Sequence, residues 1–411
     1  MENQADVVSA GRLADSLEKA LPQLEARARF ESAETLGTAE LIRKLQGSLG
    51  VIKSEPEKQG VMVTFRDPTS AQLQTFLASQ APTDAAPSGG LEAKFDSKDI
   101  LGWFGSFFTW WKKIRPHPWA TPDEQPAQIP DVARVGLLAD WGTGMYGAPV
   151  CAQSMAADRA GYQILMHLGD VYYSGDDKEM QDRFLKIWPR VNGSMNLALN
   201  GNHEMYTGAQ AYFEKVLKDF GQKASYVALQ NNHWLLACLD TAYADHDLAN
   251  DQASWLTKLI ARAGDRKVVL FSHHQPYSIL DVQGPKLVAK LRPHLEARKI
   301  HSWYWGHEHR CVVYEAHPEW GLLGRCVGHS GFPEFREKEW GVAPSAATWL
   351  HLSAANEAPG AVVLDGENPY IKNHEKEYGP HGYVTLEFEN EKLTEFMHLP
   401  DGKVVKSQQI A

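Results

Sequence analysis

Between residues 134 and 305 the chain repeats one pattern, a short and predominantly apolar run that stops abruptly at a polar block containing aspartate or histidine. The runs are Arg134–Ala139, Tyr162–Leu168, Met195–Leu199, Trp234–Leu239, Lys267–Phe271 and Ser302–Trp305. Four to seven residues long and rich in valine, leucine and aromatic side chains, they fit strands buried on both faces. Between them, Asp177–Trp188, Ala209–Phe220, Asp251–Ala263 and Pro285–Arg298 read as helices. Strands alternating with helices predict an α/β fold, a sheet with helices over its faces. Further on, Gly382–Phe388 and Leu393–Met397 alternate like an antiparallel strand pair.

In open α/β sheets, functional groups gather beyond the carboxyl ends of the strands. Five blocks stand there: Ala139-Asp140-Trp141-Gly142, Gly169-Asp170-Val171-Tyr172-Tyr173, Gly201-Asn202-His203-Glu204, His273-His274 and Gly306-His307-Glu308-His309. Any one of them alone reads as turn chemistry or as a hydrogen-bonded structural histidine. All five, in order and in one domain, suit a two-metal hydrolase centre. A pair of cations needs about eight oxygen and imidazole donors, one of them a bridging carboxylate, and a sheet supplies these from several strand ends. Gly142 and Gly144 let the backbone after Asp140 turn sharply.

At 411 residues the chain exceeds one ordinary core, and its beginning reads differently. Residues 1–125 are expected to form a mainly helical module, with Val8, Leu13, Leu17, Leu21 and Leu24 at helical spacing and further helices over Thr38–Leu49 and about Thr69–Gln80. Val61–Phe65 is a short strand candidate, and a Pro/Gly/Ser-rich linker lies near 81–95. The catalytic domain is expected over 130–400. An aromatic stripe through residues 100–115 suits either packing of the module onto the core or contact with a membrane or protein partner.

A net charge of −10 without a basic stripe argues against binding a nucleic-acid backbone. No run reaches the roughly 18–20 apolar residues of a spanning helix. The first residues lack the basic and apolar regions of a secretory signal, so a cytoplasmic location is expected. Cys151, Cys238, Cys311 and Cys326 are scattered and read as free buried thiols.

The five blocks resemble the calcineurin-like metallophosphoesterase superfamily, and most closely its purple acid phosphatase branch. That branch is recognised by Asp-x-Gly, Gly-Asp-x-x-Tyr, Gly-Asn-His-Asp/Glu, a Val-x-x-His-like block and Gly-His-x-His. Where most superfamily members have a histidine, this chain has Gly142, and the purple branch replaces that ligand with the tyrosine matched by Tyr173. The resemblance implies a four-layer αββα sandwich, two mixed β-sheets flanked by helices, with the helical N-terminal extension outside the match.

Carried over residue by residue, it implies a first metal held by Asp140, Asp170, Tyr173 and His309, and a second by Asp170, Asn202, His273 and His307. His273 is taken over the adjacent His274 because its spacing to Tyr277-Ser278 suits the family block. His203 would donate a hydrogen bond or a proton to the phosphoryl group or leaving oxygen. His274 reads as a support behind the ligands or a substrate contact, and Tyr206, Tyr277 and His329, near the metals, as either substrate contacts or ordinary loop packing. A phenolate favours Fe(III) paired with Fe(II), Zn(II) or Mn(II), with a Mn(II) pair as the substitute. The implied reaction is hydrolysis of a small phosphate monoester by hydroxide at a dinuclear centre. A phosphodiesterase acting on cyclic nucleotides or phospholipid headgroups is the alternative, and a metal-free binding scaffold a lesser one.

Overall fold

Strand periodicity sorts the side chains of this protein into layers. The structure is a computed structural model describing residues 10–28, 35–54, 67–80, 107–281 and 285–411. One sheet has six strands: β2 (Val132–Leu138), β3 (Ile164–His167) and β4 (Met195–Ala198) run parallel, and β13 (Tyr383–Glu389), β14 (Lys392–His398) and β15 (Val404–Gln409) are added antiparallel in the order β15-β14-β13-β2-β3-β4. The other has nine, ordered β1-β5-β6-β7-β8-β10-β9-β12-β11. Its strands are β1 (Ala127–Gln128), β5 (Val227–Gln230), β6 (Trp234–Cys238), β7 (Lys267–Ser272), β8 (Ile300–Trp305), β9 (Cys311–Ala316), β10 (Leu323–Val327), β11 (Thr348–Leu352) and β12 (Ala361–Asp365). Both sheets are mixed.

Period two decides which residues meet between them. Val135 and Leu137 of β2, Ile164 and Met166 of β3, Leu236 and Cys238 of β6, and Val269 and Phe271 of β7 share one buried cluster that joins the two sheets. Their neighbours point outward. Leu235, Ala237, Val268 and Leu270 pack under the helices Gln252–Arg262 and Lys286–Glu296, through Leu256, Leu259, Leu287, Leu291 and Leu295. Leu138 and Leu165 pack under the helix Gly147–Ala157, through Cys151, Ala152 and Met155, together with Phe184 and Trp188. Four layers result, helix, sheet, sheet and helix, as the resemblance implies.

Two expected α-helices take another form. Over Asp177–Trp188 the chain is π-helical at Glu179–Leu185, and over Ala209–Phe220 it is π-helical at Tyr212–Val216 before an α-turn at Leu217–Phe220. Their apolar faces are wide: Tyr212, Phe213, Val216 and Leu217 are all buried against the sheet, and the wider turn turns them inward together. The helix Gly147–Ala157 and strands β1, β5, β9 to β12 and β15 stand outside the runs that the sequence marks. All four cysteines are free and buried.

Ahead of the sheets lie α1 (Ala10–Ala28), α2 (Thr35–Ser54) and α3 (Pro68–Gln80). Leu17, Leu21, Leu41, Leu45, Leu73 and Phe76 close a small core of their own. The described part of the aromatic stripe joins it, with Phe107 fully buried and Trp110 and Trp111 packed against it. Val61–Phe65, the linker near 81–95 and residues 100–106 lie outside the described residues. Among the described residues no helix is long and apolar enough to cross a membrane.

Candidate metal centre

Parallel register brings the expected blocks to one edge. Leu138 pairs with His167 and His167 with Ala198, so the segments after β2, β3 and β4 emerge side by side; Ser272 pairs with Trp305 in the other sheet, bringing out the segments after β7 and β8. One backbone hydrogen bond in each sheet continues the alignment, Asp140 N–H to Gly169 C=O and Gly306 N–H to His273 C=O, both 3.0 Å. His307 N–H donates to Asp140 Oδ2 at 2.8 Å and ties the two sheets together at the site.

Asp140, Asp170, His307 and His309 all hold left-handed backbone, with φ of 53°, 72°, 69° and 55°. Side chains other than glycine seldom adopt it, Asp and His more readily than most, and such conformations concentrate at functional sites. Gly201 serves by close approach: a Cβ there would fall on the Asp170 carboxylate and the Glu204 carboxylate.

Two groups of side chains share Asp170. Asp140, Asp170 and His309 offer ligand atoms within 4.8 Å of one another, and so do Asp170, His273 and His307. Asn202 joins the second group, its Oδ1 3.0 Å from His273 Nε2 and 3.1 Å from His307 Nδ1, while its Nδ2 donates to Tyr206 Oη at 2.7 Å. The arrangement can be tested for fit to a cation by counting protons. His273 Nδ1 faces the Leu168 carbonyl at 2.9 Å, and a carbonyl only accepts, so the ring proton sits there. Neutral His273 then aims its Nε2 lone pair at Asn202 Oδ1 and at Asp170 Oδ1, 3.4 Å away. Acceptor faces acceptor. Such a cluster is relieved by positive charge at its centre, either a metal ion or a proton, and buried oxygen and imidazole atoms suit the metal.

His309 is prepared in the same way. Its Nδ1 lies 2.8 Å from Glu334 Oε2, which holds the proton on that nitrogen and turns the Nε2 lone pair towards Asp140 Oδ1 at 3.6 Å. Electrostatics agree with this picture. Burial pushes the His273 imidazolium down, but Asp170, Asp140 and Glu204 outweigh it and carry the group up to about 9. Burial would raise the Asp170 carboxyl, yet His273 and His203 hold it well below the usual range.

The phenol beside these groups is that of Tyr172. Its hydroxyl lies 3.0 Å from Asp170 Oδ2 and 2.8 Å from His309 Nε2. Tyr173, the residue the resemblance assigns to the first metal, has its N–H on Glu179 Oε1 at 2.7 Å, its carbonyl on His203 Nδ1 at 2.5 Å and its ring 5.3 Å from the Arg183 guanidinium. The resemblance assigns Tyr173, and the hydroxyl of its neighbour Tyr172 stands at the cluster.

His203 lies at the centre of this wall. The Tyr173 carbonyl fixes the proton on Nδ1, leaving Nε2 to work, 3.9 Å from Asp170 Oδ2. Burial pushes the imidazolium down to about 4 despite Asp170. The Tyr206 ring lies 4.7 Å from the His203 ring, centroid to centroid. His274 points elsewhere than His273: its Nδ1 meets Thr241 Oγ1 at 3.0 Å, and its ring lies 3.8 Å from His246 and 4.6 Å from His307. Burial, then His273 and His246, hold the His274 imidazolium well below its usual range. His246, His274 and His307 make a third close histidine group.

Two expected substrate contacts are placed away from the centre. Tyr277 is buried under the helices, among Trp305, Tyr314 and Trp320, because it faces the outer layer of its sheet. His329 is buried against Gly382 and His381, and burial pushes it down to about 3. Sequence reading missed the carboxylates that position the ligands: Glu204, Glu334 and Glu308, the last held by Trp305 Nε1 at 2.6 Å and by Ser278. Glu204 and Glu308 stand inside the quoted blocks, which was the signal available; Glu334 had none.

The chain is similar to known phosphoesterases. The sequence model of the calcineurin-like phosphoesterase family matches residues 133–311. Tartrate-resistant acid phosphatase type 5 from pig (Sus scrofa) is 26% identical over 276 residues, covering 57% of this chain and 80% of that protein. The human protein of the same name is 27% identical over 218 residues, covering 43% and 66%. Among solved structures, a purple acid phosphatase from yellow lupin seeds aligns with 71% of this chain at 15% identity and a TM-score of 0.49, and the match spans 55% of that longer chain.

Proposed function

We infer that this chain, a member of the calcineurin-like metallophosphoesterase superfamily close to the purple acid phosphatases, hydrolyses phosphate monoesters at a centre of two metal ions. The observation that carries the reading is Asp170, a single carboxylate shared by two groups of buried ligand atoms. Asp140, Asp170 and His309, with the phenol beside them, would hold one ion; Asp170, Asn202, His273 and His307 would hold the other. When bound, such a pair supplies Lewis acidity, drawing charge from the phosphoryl oxygens and making water a nucleophile near neutral pH.

The chain's own residues divide the remaining work. Glu334 and the Leu168 carbonyl keep the His309 and His273 lone pairs aimed inward. Glu204 holds the backbone on which Asp170 is carried, through its bond to Asp170 N–H at 3.1 Å. His203, with Nδ1 committed to Tyr173, offers only Nε2 to a substrate; an anionic phosphoryl group beside it raises its hold on a proton, and Nε2 then donates a hydrogen bond or that proton to the phosphoryl group or leaving oxygen. His203→Ala is therefore expected to leave metal content intact and to lower turnover by about 10²- to 10⁴-fold. Metal loss in that variant would assign His203 to the ligand set instead.

Elemental analysis of the purified protein, its visible spectrum and its rates on aryl monoester and diester substrates test the reading together. Bound metal and faster monoester turnover are expected. Faster diester turnover overturns the substrate class, and a colourless, metal-free, inactive protein overturns the mechanism. With Fe(III) bound, a phenolate ligand gives a charge-transfer band. Because the Tyr172 hydroxyl lies in the cluster, Tyr172→Phe is expected to remove the band and Tyr173→Phe to keep it. The opposite result would return the ligand to Tyr173.

A further inference from the structure

The family match begins at residue 133, yet one helix far ahead of it is built into the site. Asp67 starts α3 as its cap: Ser70 N–H and Ser70 Oγ both donate to Asp67 Oδ2 at 2.7 Å, and Ser48 Oγ of α2 donates to the same oxygen at 2.7 Å. From there the helix has two working faces. Leu73 and Phe76 pack into the small core with α1, α2 and Phe107. Gln72, Thr75 and Ala78, three residues apart and so on one stripe, face the catalytic segments.

Each residue of that stripe reaches a different part of the wall around His203. Gln72 Nε2 donates to the Tyr206 carbonyl at 2.7 Å. Thr75 Oγ1 lies 2.5 Å from Ser174 Oγ and donates to Glu179 Oε1 at 3.2 Å, the carboxylate that also holds Tyr173 N–H. Ala78 packs with Tyr172, Tyr173 and Phe332. Those partners surround His203, whose ring centroid is 3.9 Å from that of Tyr172, and they extend to His309, 4.0 Å from Phe332. His203 is consequently 1% exposed. On the other side of the centre, His246 keeps 31% of its side chain in solvent.

We propose that α3, through Gln72, Thr75 and Ala78, is the wall of the substrate pocket on the His203 side and sets the width of leaving group that the site accepts. The inference rests on the phosphoesterase reading above. Substrate enters past His246, and the alcohol expelled beside His203 has only the space that α3 leaves. Tyr172, Tyr173 and Phe332 packed against Ala78 favour a narrow monoester over a bulky one, and a single methylene against such an apolar surface is worth roughly 10- to 200-fold.

The test uses the full chain carrying Gln72→Ala and Thr75→Val together, which removes the bonds from α3 to Tyr206, Ser174 and Glu179 without touching a ligand. kcat/KM is measured on phenyl phosphate and on a naphthyl phosphate, with metal content and amide hydrogen exchange over residues 170–176 and 202–207. The expected result is a rise of about tenfold or more in the naphthyl-to-phenyl ratio, faster exchange in those two segments and unchanged metal content. Thr75→Ser, which keeps the hydroxyl, should preserve the wild-type ratio. Ala78→Phe should move the ratio the other way by filling the pocket; if it fails to fold, the double variant decides alone. An unchanged ratio with only a lowered Tm reduces α3 to packing and overturns the proposal. Wild-type protein that turns over neither ester overturns the phosphoesterase reading itself, and the wall falls with it.

Discussion

Replacing Asp170 with asparagine is expected to release both metal ions and to reduce phosphoester turnover by about 10⁴-fold, while the chain stays folded. The two groups of ligand atoms meet only at this side chain, so its loss is felt by both. Asparagine keeps the size but exchanges one carboxylate oxygen for an NH₂ group and removes the charge. That oxygen position faces either His203 N–H and His273 Nε2, as Oδ1 does, or the Tyr172 hydroxyl, as Oδ2 does. An amide has one carbonyl oxygen in place of two carboxylate oxygens and no charge, so it cannot bridge two cations. Lewis-acid stabilisation of the reacting group is worth several kcal/mol, and each 1.36 kcal/mol is tenfold in rate, which sets the scale of the loss. Folding should survive because Asp170 N–H stays on Glu204 and its carbonyl still accepts Trp141 N–H at 3.0 Å. Elemental analysis beside circular dichroism checks this, and a variant with full metal content and near-normal turnover would remove Asp170 from the bridge.

Much of the candidate site was legible because its residues end strands. Asp140, Asp170, His273 and His307 follow the apolar runs that also mark the buried strands, so one pattern yields both the fold and the candidate ligands. Their shared edge depends on parallel register, which α/β alternation already implies. What escaped the reading depends on residues distant in sequence. Glu334 reaches His309 from a segment after β10 with no periodicity to mark it. Tyr172 and Tyr173 are adjacent, and motif spacing cannot say which phenol the packing of Phe332, Arg183 and Ala78 turns inward. Strand β11 runs along the end of the nine-stranded sheet with largely exposed or half-buried side chains, and so lacked an apolar run. Helix α3 was legible as a helix, but its two faces divide between a small core and the segments around His203, and only contacts across about a hundred residues or more reveal the second.

Glu204→Ala is expected to destabilise the fold by about 3–6 kcal/mol and to weaken metal binding with it. The carboxylate is 1% exposed and accepts three backbone N–H groups: Asp170 at 3.1 Å, Val171 at 2.7 Å and Gly201 at 2.7 Å. In the bond to Gly201, Glu204 reaches back from the third position of the short turn Asn202–Met205 to the N–H of the residue before it; the other two come from the segment after β3. One side chain therefore clamps the loop that carries Asp170 to the turn that carries Asn202 and His203. Alanine leaves three buried donors without an acceptor, each costing about 1–3 kcal/mol, with part recovered if water enters the space. The clamp also sets the spacing between the shared carboxylate and the Asn202 amide, so an ion that Asp170, Asn202, His273 and His307 would hold should be lost first. Denaturant unfolding of the metal-free protein measures the first effect, and metal titration measures the second. Destabilisation with unchanged metal affinity would make Glu204 a structural cap alone, whereas weaker binding in Glu204→Gln, at near-normal stability, would show that the clamp acts on the ligands themselves.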